Sequence, residues 1–260
     1  MRRDFEGRVA VVTGSTQGLG AAVVRQFAER GGDGVVITGR DETRGLAVAT
    51  DLEDLGCRSV FVSADLADQS SPARIIEAAD ATFGRVDVLV NSAALTDRDT
   101  ISEASPEHFD RMFAVNTRAP WFLMQGAVAL MVRERVEGTI VNVLSISSHA
   151  GQPYLATYVA SKAALGAFTK NSAHALLEHR IRVNALNPGW MATAGEDRLQ
   201  REYYGVGDDW REEAGASLPF GDLIDPEDAA RAVLFLASAE SGFMTGAVVD
   251  YDQRVIGAYD

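Results

Sequence analysis

The sequence predicts a doubly wound α/β domain, and three observations carry that prediction. Seven short β-type runs alternate with helical patterns along the chain. Most of those runs are continuous in valine, isoleucine and other apolar residues. Strands buried on both faces of a parallel sheet read in this way, whereas one-sided strands alternate apolar with polar. A glycine-rich turn, "TGSTQGLG" from Thr13 to Gly20, lies between the first run and the first helical pattern.

Taken in order, the runs are "RVAVVTG", "GVVITG", "RSVFVSAD", "VDVLVNSA", "GTIVNVLS", "IRVNALNPG" and "GAVVDYD". The helical patterns fall near Leu19–Arg30, Thr43–Leu55, Ser70–Phe83, Glu107–Arg135, Ala156–His179 and Pro226–Ala237. Two have explicit start signals: "SPARIIEAA" and "DPEDAARAV" each place a Ser or Asp N-cap before a proline at the first helical position. Strand–helix alternation of this kind implies right-handed crossovers and a ligand site at the carboxyl ends of the strands. Met191 to Leu218 breaks the alternation. It is polar, dotted with aromatics, and too long for an ordinary connection. It reads as a substrate lid at about 191–218 or as a solvated insertion.

Composition narrows the function classes. No linker-like stretch divides the 260 residues, so residues 1–260 read as a single domain, and 47% hydrophobic residues suit a sizeable core. A net charge of −13 with no basic run argues against nucleic acid as a partner. The single Cys57 has no partner for an intrachain disulfide, no Cys/His cluster has zinc spacing, and no metal is expected. The start "MRRDFEGR" lacks an apolar h-region. The longest apolar stretch, Ala119 to Val132, is 14 residues and too short to span a bilayer. A cytoplasmic protein with no membrane partner is the expectation.

The first turn has the features of a phosphate cradle. Gly14 allows the tight turn, Gly18 lets backbone approach a pyrophosphate, and Gly20 permits close helix–strand packing. The N–H groups opening the following helix favour an anion.

Further along come "ADL" at Ala64–Leu66, "NSAA" at Asn91–Ala94, Asn116 in "AVNT", Ser145 in "IVNVLS", "YVASK" at Tyr158–Lys162 and "NPG" at Asn187–Gly189. With the glycine turn, and in this order and spacing, these motifs make the whole chain resemble the short-chain dehydrogenase/reductase family. The resemblance implies a Rossmann-type parallel sheet of about seven strands with helices on both faces. It also implies assembly as a homotetramer or homodimer, and reversible hydride transfer between NAD(P) and an alcohol/carbonyl pair. The positions it implies for cofactor contact are Gly14, Ser15, Thr16, Gln17, Gly18, Leu19, Gly20, Arg40, Asp65, Leu66, Asn91, Ala93, Tyr158, Lys162, Pro188, Gly189, Met191 and Thr193. Three features depart from the family's pattern: Ser92 and Ala94 where "NNAG" is common, Gln17 where many NADP-using members carry a basic residue, and "VVDYDQ" in place of "VDGG".

Tyr158 and Lys162 are four apart on one helix face, and Ser145 lies thirteen residues before Tyr158. A tyrosine with a pKa of about 10 is a poor base near neutrality. A neighbouring ammonium and a cationic nicotinamide favour its phenolate, and lowering the pKa by about 3 units takes roughly 4 kcal/mol. The resemblance implies Tyr158 as acid/base, Lys162 as the group lowering its pKa and holding the nicotinamide ribose, Ser145 on the substrate oxygen, and Asn116 positioning a water of a proton relay. At the end of the second strand, Gly39 stands where NAD-preferring relatives carry an acid, and Arg40 follows. A forked cation there suits a 2′-phosphate, so NADP is expected over NAD, with Asp41, Glu42 and Gln17 weighing against it.

Substrate-contact candidates follow from position: Ser145, Ser147, His149, Tyr154 and Trp190, each with a purely structural alternative. Arg198 and Arg201 either meet substrate or pair with nearby acids. The polar lid points to a polyol, sugar or sugar acid. The alternatives are a carbonyl reductase of an apolar substrate and a regulator that binds NAD(P) without turnover.

Overall fold

The structure is a computed structural model that describes residues 3–149 and 151–258. Met1 and Arg2 of the amino-terminal stretch weighed above lie outside the described residues. All seven predicted strands form: β1 (Val9–Val12), β2 (Gly34–Gly39), β3 (Arg58–Ser63), β4 (Val88–Asn91), β5 (Thr139–Val143), β6 (Arg182–Pro188) and β7 (Val248–Tyr251). They pair in parallel in the order β3-β2-β1-β4-β5-β6-β7, the doubly wound arrangement. The strand order reverses direction between β1 and β4, and the crevice above their carboxyl ends is where such sheets bind ligands.

The continuous apolar runs are explained by two cores, one on each face of the sheet. Ala10 and Val12 of β1, Val88 and Val90 of β4, and Val141 and Val143 of β5 enter one core. Val11, Leu89 and Ile140 enter the other. The first core is closed by α1 (Gly18–Glu29) and α9 (Pro226–Ala237), with α2 (Glu42–Asp54) beside them. The second is closed by α3 (Ser71–Phe83), α5 (Ala119–Arg133) and α6 (Ala156–Ala175). The edge strands β3 and β7 are mostly only half-buried, since each lacks a neighbour on one side. Cys57 is buried at 1% exposure, and burial pushes its thiol up to about 12.

Three details differ from expectation. Ser70 and Ser71 do not cap α3 with their side chains; helix α3 already begins at Ser71, whose hydroxyl donates to the Asp65 carbonyl at 2.7 Å. Asp225 does cap α9, accepting from the Glu227 amide. The single helix expected near Glu107–Arg135 is divided into α4 (Pro106–Phe113), a π-helical turn (Ala114–Arg118) and α5. A π turn inserts one residue into the ladder and re-aims a side chain, here Asn116. Finally, 191–218 has secondary structure that its sequence reading left undefined. It holds α7 (Ala194–Tyr204) and α8 (Trp210–Ala216), and its base is closed by bridge pairing of Met191 with Ile224. Among the described residues no helix is long and apolar enough to cross a membrane.

Candidate active site

A cavity of about 690 Å³ opens above the carboxyl ends of β1, β4, β5 and β6, between the glycine turn and α7. The turn is built by backbone demands. Gly14 has φ +65°, and a Cβ there would lie 2.9 Å from the Ala93 Cα. Gly20 packs so closely that a Cβ would sit 2.4 Å from the Gly14 carbonyl oxygen. Gly18, φ +54°, has only Thr193 within 4 Å of a built Cβ, at 3.5 Å. Thr13 ties this turn to the loop after β4, its hydroxyl accepting from the amides of Ser92 and Ala93 at 3.0 and 3.1 Å. The result is a bare backbone cradle at a helix N-terminus, which fits a dinucleotide pyrophosphate.

Most residues singled out from the sequence meet on this cavity's wall. From the cofactor set, Gly14, Thr16, Gln17, Gly18, Leu19, Gly20, Arg40, Asp65, Leu66, Ala93, Pro188, Gly189, Met191 and Thr193 line it. Ser145, Ser147, Tyr154, Tyr158, Lys162 and Trp190 complete the opposite side.

Four do not reach the cavity. Ser15 is fully buried, its hydroxyl donating to the Val12 carbonyl at 2.7 Å and accepting from the Thr38 amide at 2.9 Å; it braces β1 against β2. Asn91 turns its amide to Asn142 at 2.8 Å, which in turn reaches Thr169 of α6 at 2.9 Å. Asn116 is fully buried. Its oxygen accepts from the Leu95 amide at 2.8 Å and its Nδ2 donates to the Leu95 carbonyl and Ser161 hydroxyl, so its side chain clamps the loop over the cavity. His149 faces away, its Nε2 2.9 Å from Asp250 and 3.3 Å from Asn187. It latches β7 to β6 and does not meet a substrate pocket. Of the two α7 arginines, Arg201 pairs with Asp197 and Asp208, and Arg198 is exposed and not on the cavity wall.

The electrostatics at the centre differ from a simple lysine-activated phenol. Tyr158 is buried, and burial pushes its phenol up; a hydrogen bond with Ser145 pulls it down, Glu196 pushes it up and Arg98 pulls it down. Lys162 is 1% exposed, and desolvation takes it down to about 7. Its Nζ donates to the Val143 carbonyl at 2.8 Å and lies 5.9 Å from the Tyr158 ring centroid.

The far end of the cavity, beyond β2, holds Gln17, Arg40, Asp41 and Arg44. Asp41 caps α2 through the Arg44 amide and pairs with the Arg44 guanidinium at 2.8 Å, so its carboxylate is held below the usual range by those bonds. Arg44 also donates to Gln17. Gly39 does not leave open space: a Cβ there would meet Thr16 at 2.5 Å. Asp65 is opposed by burial, yet the Ala67 amide and the Arg111 guanidinium keep its carboxyl low. Sequence reasoning missed Arg44, Arg98, Gln152, Glu196 and Tyr204, all on the wall. Arg44 lies on the first turn of α2, Arg98 and Gln152 lie in loops, and Glu196 and Tyr204 lie on α7, where no motif signal marks them.

Comparisons with known proteins agree with this geometry. Residues 14–253 match the family model described as Enoyl-(Acyl carrier protein) reductase. The chain is 32% identical over 249 residues to L-rhamnose 1-dehydrogenase (NAD(P)(+)) of Sphingomonas sp., covering 95% of this chain and 96% of that protein. It is 36% identical to a solved short chain dehydrogenase/reductase family protein, with a TM-score of 0.82 and 96% and 97% of the two chains covered. The structure of L-sorbose reductase from Gluconobacter frateurii, solved with NADPH and L-sorbose, superposes with a TM-score of 0.91 at 29% identity and covers both chains fully. Among the described residues no His/Cys/Asp/Glu group is arranged to hold a metal ion.

Proposed function

The chain belongs to the short-chain dehydrogenase/reductase family of NAD(P)-dependent oxidoreductases, and on that premise we propose that it interconverts an alcohol and a carbonyl on a polar, polyhydroxylated substrate, using NADP in preference to NAD. The observation that carries the reading is the meeting of Ser145, Tyr158 and Lys162 on the wall of one cavity. Gln152, Glu196, Gln200 and Arg98 line it beside Leu155, Trp190 and Leu218, and those polar groups favour a hydroxylated substrate over an acyl chain or steroid.

The glycine turn would hold the pyrophosphate, Asp65 and Leu66 the adenine end, and Lys162 with Pro188–Gly189 the nicotinamide end. The bound nicotinamide supplies or takes up the hydride. Tyr158 is the proton donor and acceptor. In oxidation it takes the hydroxyl proton of the substrate; in reduction it returns a proton to the carbonyl oxygen. Ser145 holds that oxygen and, by bonding the phenol, favours its ionised form. Burial leaves Lys162 near neutrality at physiological pH. It exchanges protons readily there, which suits a relay partner of Tyr158. Asn116 acts as a positioning residue, its amide fixing Leu95 and the cavity's upper loop.

The names of the relatives support a sugar-type substrate only by analogy, and the matching family model is named for an acyl-chain reductase. Assembly as a homotetramer or homodimer and a cytoplasmic setting belong to the same reading. Exposed Phe109 and Phe122 on α4 and α5, at 45% and 46% exposure, offer apolar surface for such an interface.

The test is an initial-rate panel of polyols, sugars, sugar acids, long-chain alcohols and steroids with both cofactors, in wild type and Tyr158→Phe. Turnover concentrated on polyhydroxylated compounds, falling by about 10²–10⁴ in the phenylalanine variant with cofactor binding intact, supports the reading. Turnover confined to apolar alcohols, or an active Tyr158→Phe enzyme, ends it.

A further inference from the structure

Arg98 lies on the cavity wall, in the loop that follows β4, and is held there by four groups. Its Nε donates to the Tyr204 hydroxyl at 3.1 Å and its Nη1 to the Thr96 carbonyl at 3.0 Å. Its guanidinium lies over the rings of Tyr154 and Tyr204, 5.7 Å from each centroid. The rings fix the plane of the fork, which stays partly exposed between them. A guanidinium has five N–H donors. Nη2 has no partner among the described residues, and no carboxylate of the described residues pairs with Arg98. By contrast, Arg111 on the same wall is neutralised by Asp65.

A second group near it is also unfinished. Gln152 lines the cavity, and its buried Oε1 has no hydrogen-bond partner among the described residues. A buried polar atom of this kind costs free energy unless something bonds it. Across the cavity, Glu196 is oriented by the Trp190 indole at 2.9 Å and by Gln200 at 2.8 Å, both on one oxygen.

We propose that Arg98 is the anchor for a carboxylate on the substrate, and that Gln152 and Glu196 read its hydroxyls. The substrate is therefore a polyhydroxy acid of the aldonate or keto-aldonate class, bound with its charged end at Arg98 and its reacting carbon at Tyr158. This rests on the proposed oxidoreductase reading and specifies it. A fixed fork with free parallel donors suits the two oxygens of a carboxylate. The position of Arg98 also has a consequence at the reacting group, since its charge favours the Tyr158 phenolate. A bound carboxylate cancels that field, so an anionic substrate shifts the alkaline limb of the rate profile relative to a neutral one.

The experiment compares reduction of 5-keto-D-gluconate and L-sorbose, which share the ketone and the stereocentres and differ by a carboxylate in place of a primary alcohol. Wild type, Arg98→Met and Arg98→Lys are measured with NADPH. Wild type is expected to favour the acid in kcat/KM by about 10–100-fold, the range of a hydrogen bond to a charged group. Arg98→Met should lose that preference, its kcat/KM falling at least about tenfold further on the acid than on the ketose, with the lysine variant recovering part. An indifferent wild type overturns the proposal. So does a methionine variant equally impaired on both substrates, which would make Arg98 only a clasp between the loop and Tyr204. Calorimetric binding of D-gluconate and D-glucitol to the NADP-loaded protein separates the two levels. Gluconate binding that needs Arg98, without turnover of any sugar, keeps the anion site and ends the oxidoreductase reading for polyhydroxy substrates. Gluconate and glucitol bound alike, with ketose turnover present, ends the anion site alone.

Discussion

Lys162 donates from Nζ to the Val143 carbonyl at 2.8 Å, from α6 to the end of β5. Lys162 is 1% exposed, and desolvation alone takes its amine from 10.5 to about 7. Between those values the unfolded chain carries a proton that the folded chain has lost. The unfolded state then binds more protons, so stability from this group rises with pH across that window. Below about pH 7 both states are protonated and the fold bears the whole cost of the buried charge. Lys162→Met removes that cost. The variant is expected to exceed wild type in stability near pH 6, by at most about 4–5 kcal/mol for a fall from 10.5 to about 7. The difference should shrink as pH approaches the unfolded value. Denaturant unfolding of both proteins across that range checks it, and two parallel stability curves would refute it.

The glycine turn makes a separate prediction. A Cβ at Gly20 would lie 2.4 Å from the Gly14 oxygen and 2.8 Å from the Gly14 carbonyl carbon, and neither atom is the end of a flexible side chain. Gly20→Ala must therefore push the turn away from α1. We expect a loss of about 1–3 kcal/mol in stability and at least tenfold weaker cofactor binding, since the pyrophosphate cradle moves with the turn. Gly207→Ala is the control: nothing lies within 4 Å of its built Cβ. Equal thermal midpoints and cofactor affinities for the two variants would contradict the argument.

These cases mark what the sequence made legible. The strands could be read because each alternates between two cores and so runs apolar without a break. The tyrosine, lysine and serine could be read because a helix face and a strand end fix their spacing. The orientation of a polar side chain could not be read in the same way. Ser15, Asn91 and Asn116 sit at the right places in the chain, but the side chains of Ser15 and Asn116 bond nearby backbone and that of Asn91 bonds the Asn142 amide. The polarity of 191–218 was visible, but its α-helical form, and Arg98 meeting Tyr204 over 106 positions, depend on how separate segments fold over one cavity.

Asp99 bears on Tyr158 at the amino-terminal end of α6. It is buried, and its two oxygens accept from the Thr157 amide at 3.1 and 3.3 Å, one residue before the catalytic candidate. His108 Nε2, buried and otherwise without a partner, lies 3.7 Å away. Asp99→Ala strands the helix amide and costs about 1–2 kcal/mol. The start of α6 should then loosen, with kcat falling more than the substrate KM changes. Asp99→Asn keeps an oxygen acceptor and should lose much less. An alanine variant with unchanged unfolding midpoint and kcat would show that the amide is satisfied in another way.

Cofactor choice rests on the residues after β2. An acid in NAD-preferring relatives would stand at Gly39, but here that position is packed against Thr16, with a built Cβ 2.5 Å from its methyl group. Asp41, the nearest acid, is occupied by the Arg44 amide and guanidinium. Arg40 lies on the cavity wall and is exposed, and its charge reaches Asp65. A 2′-phosphate would therefore meet Arg40 and Arg44 with the local acid already paired. A unit charge pair is worth about 1 kcal/mol at 4 Å in water and several times that when shielded, which gives roughly tenfold or more in favour of NADP. Arg40→Ala should lower kcat/KM with NADP by about that factor while leaving NAD nearly unchanged, and adding Arg44→Ala should erase the remaining preference. Asp41 then keeps only the backbone amide at residue 44 and loses its guanidinium partner, so the double variant should lean towards NAD. Gly39→Asp should not convert the enzyme cleanly, because its side chain must first displace Thr16 from the glycine turn. Efficiencies with both cofactors across these variants decide the matter. A wild type that favours NAD, or an Arg40→Ala enzyme with an unmoved ratio, removes the arginine from the explanation.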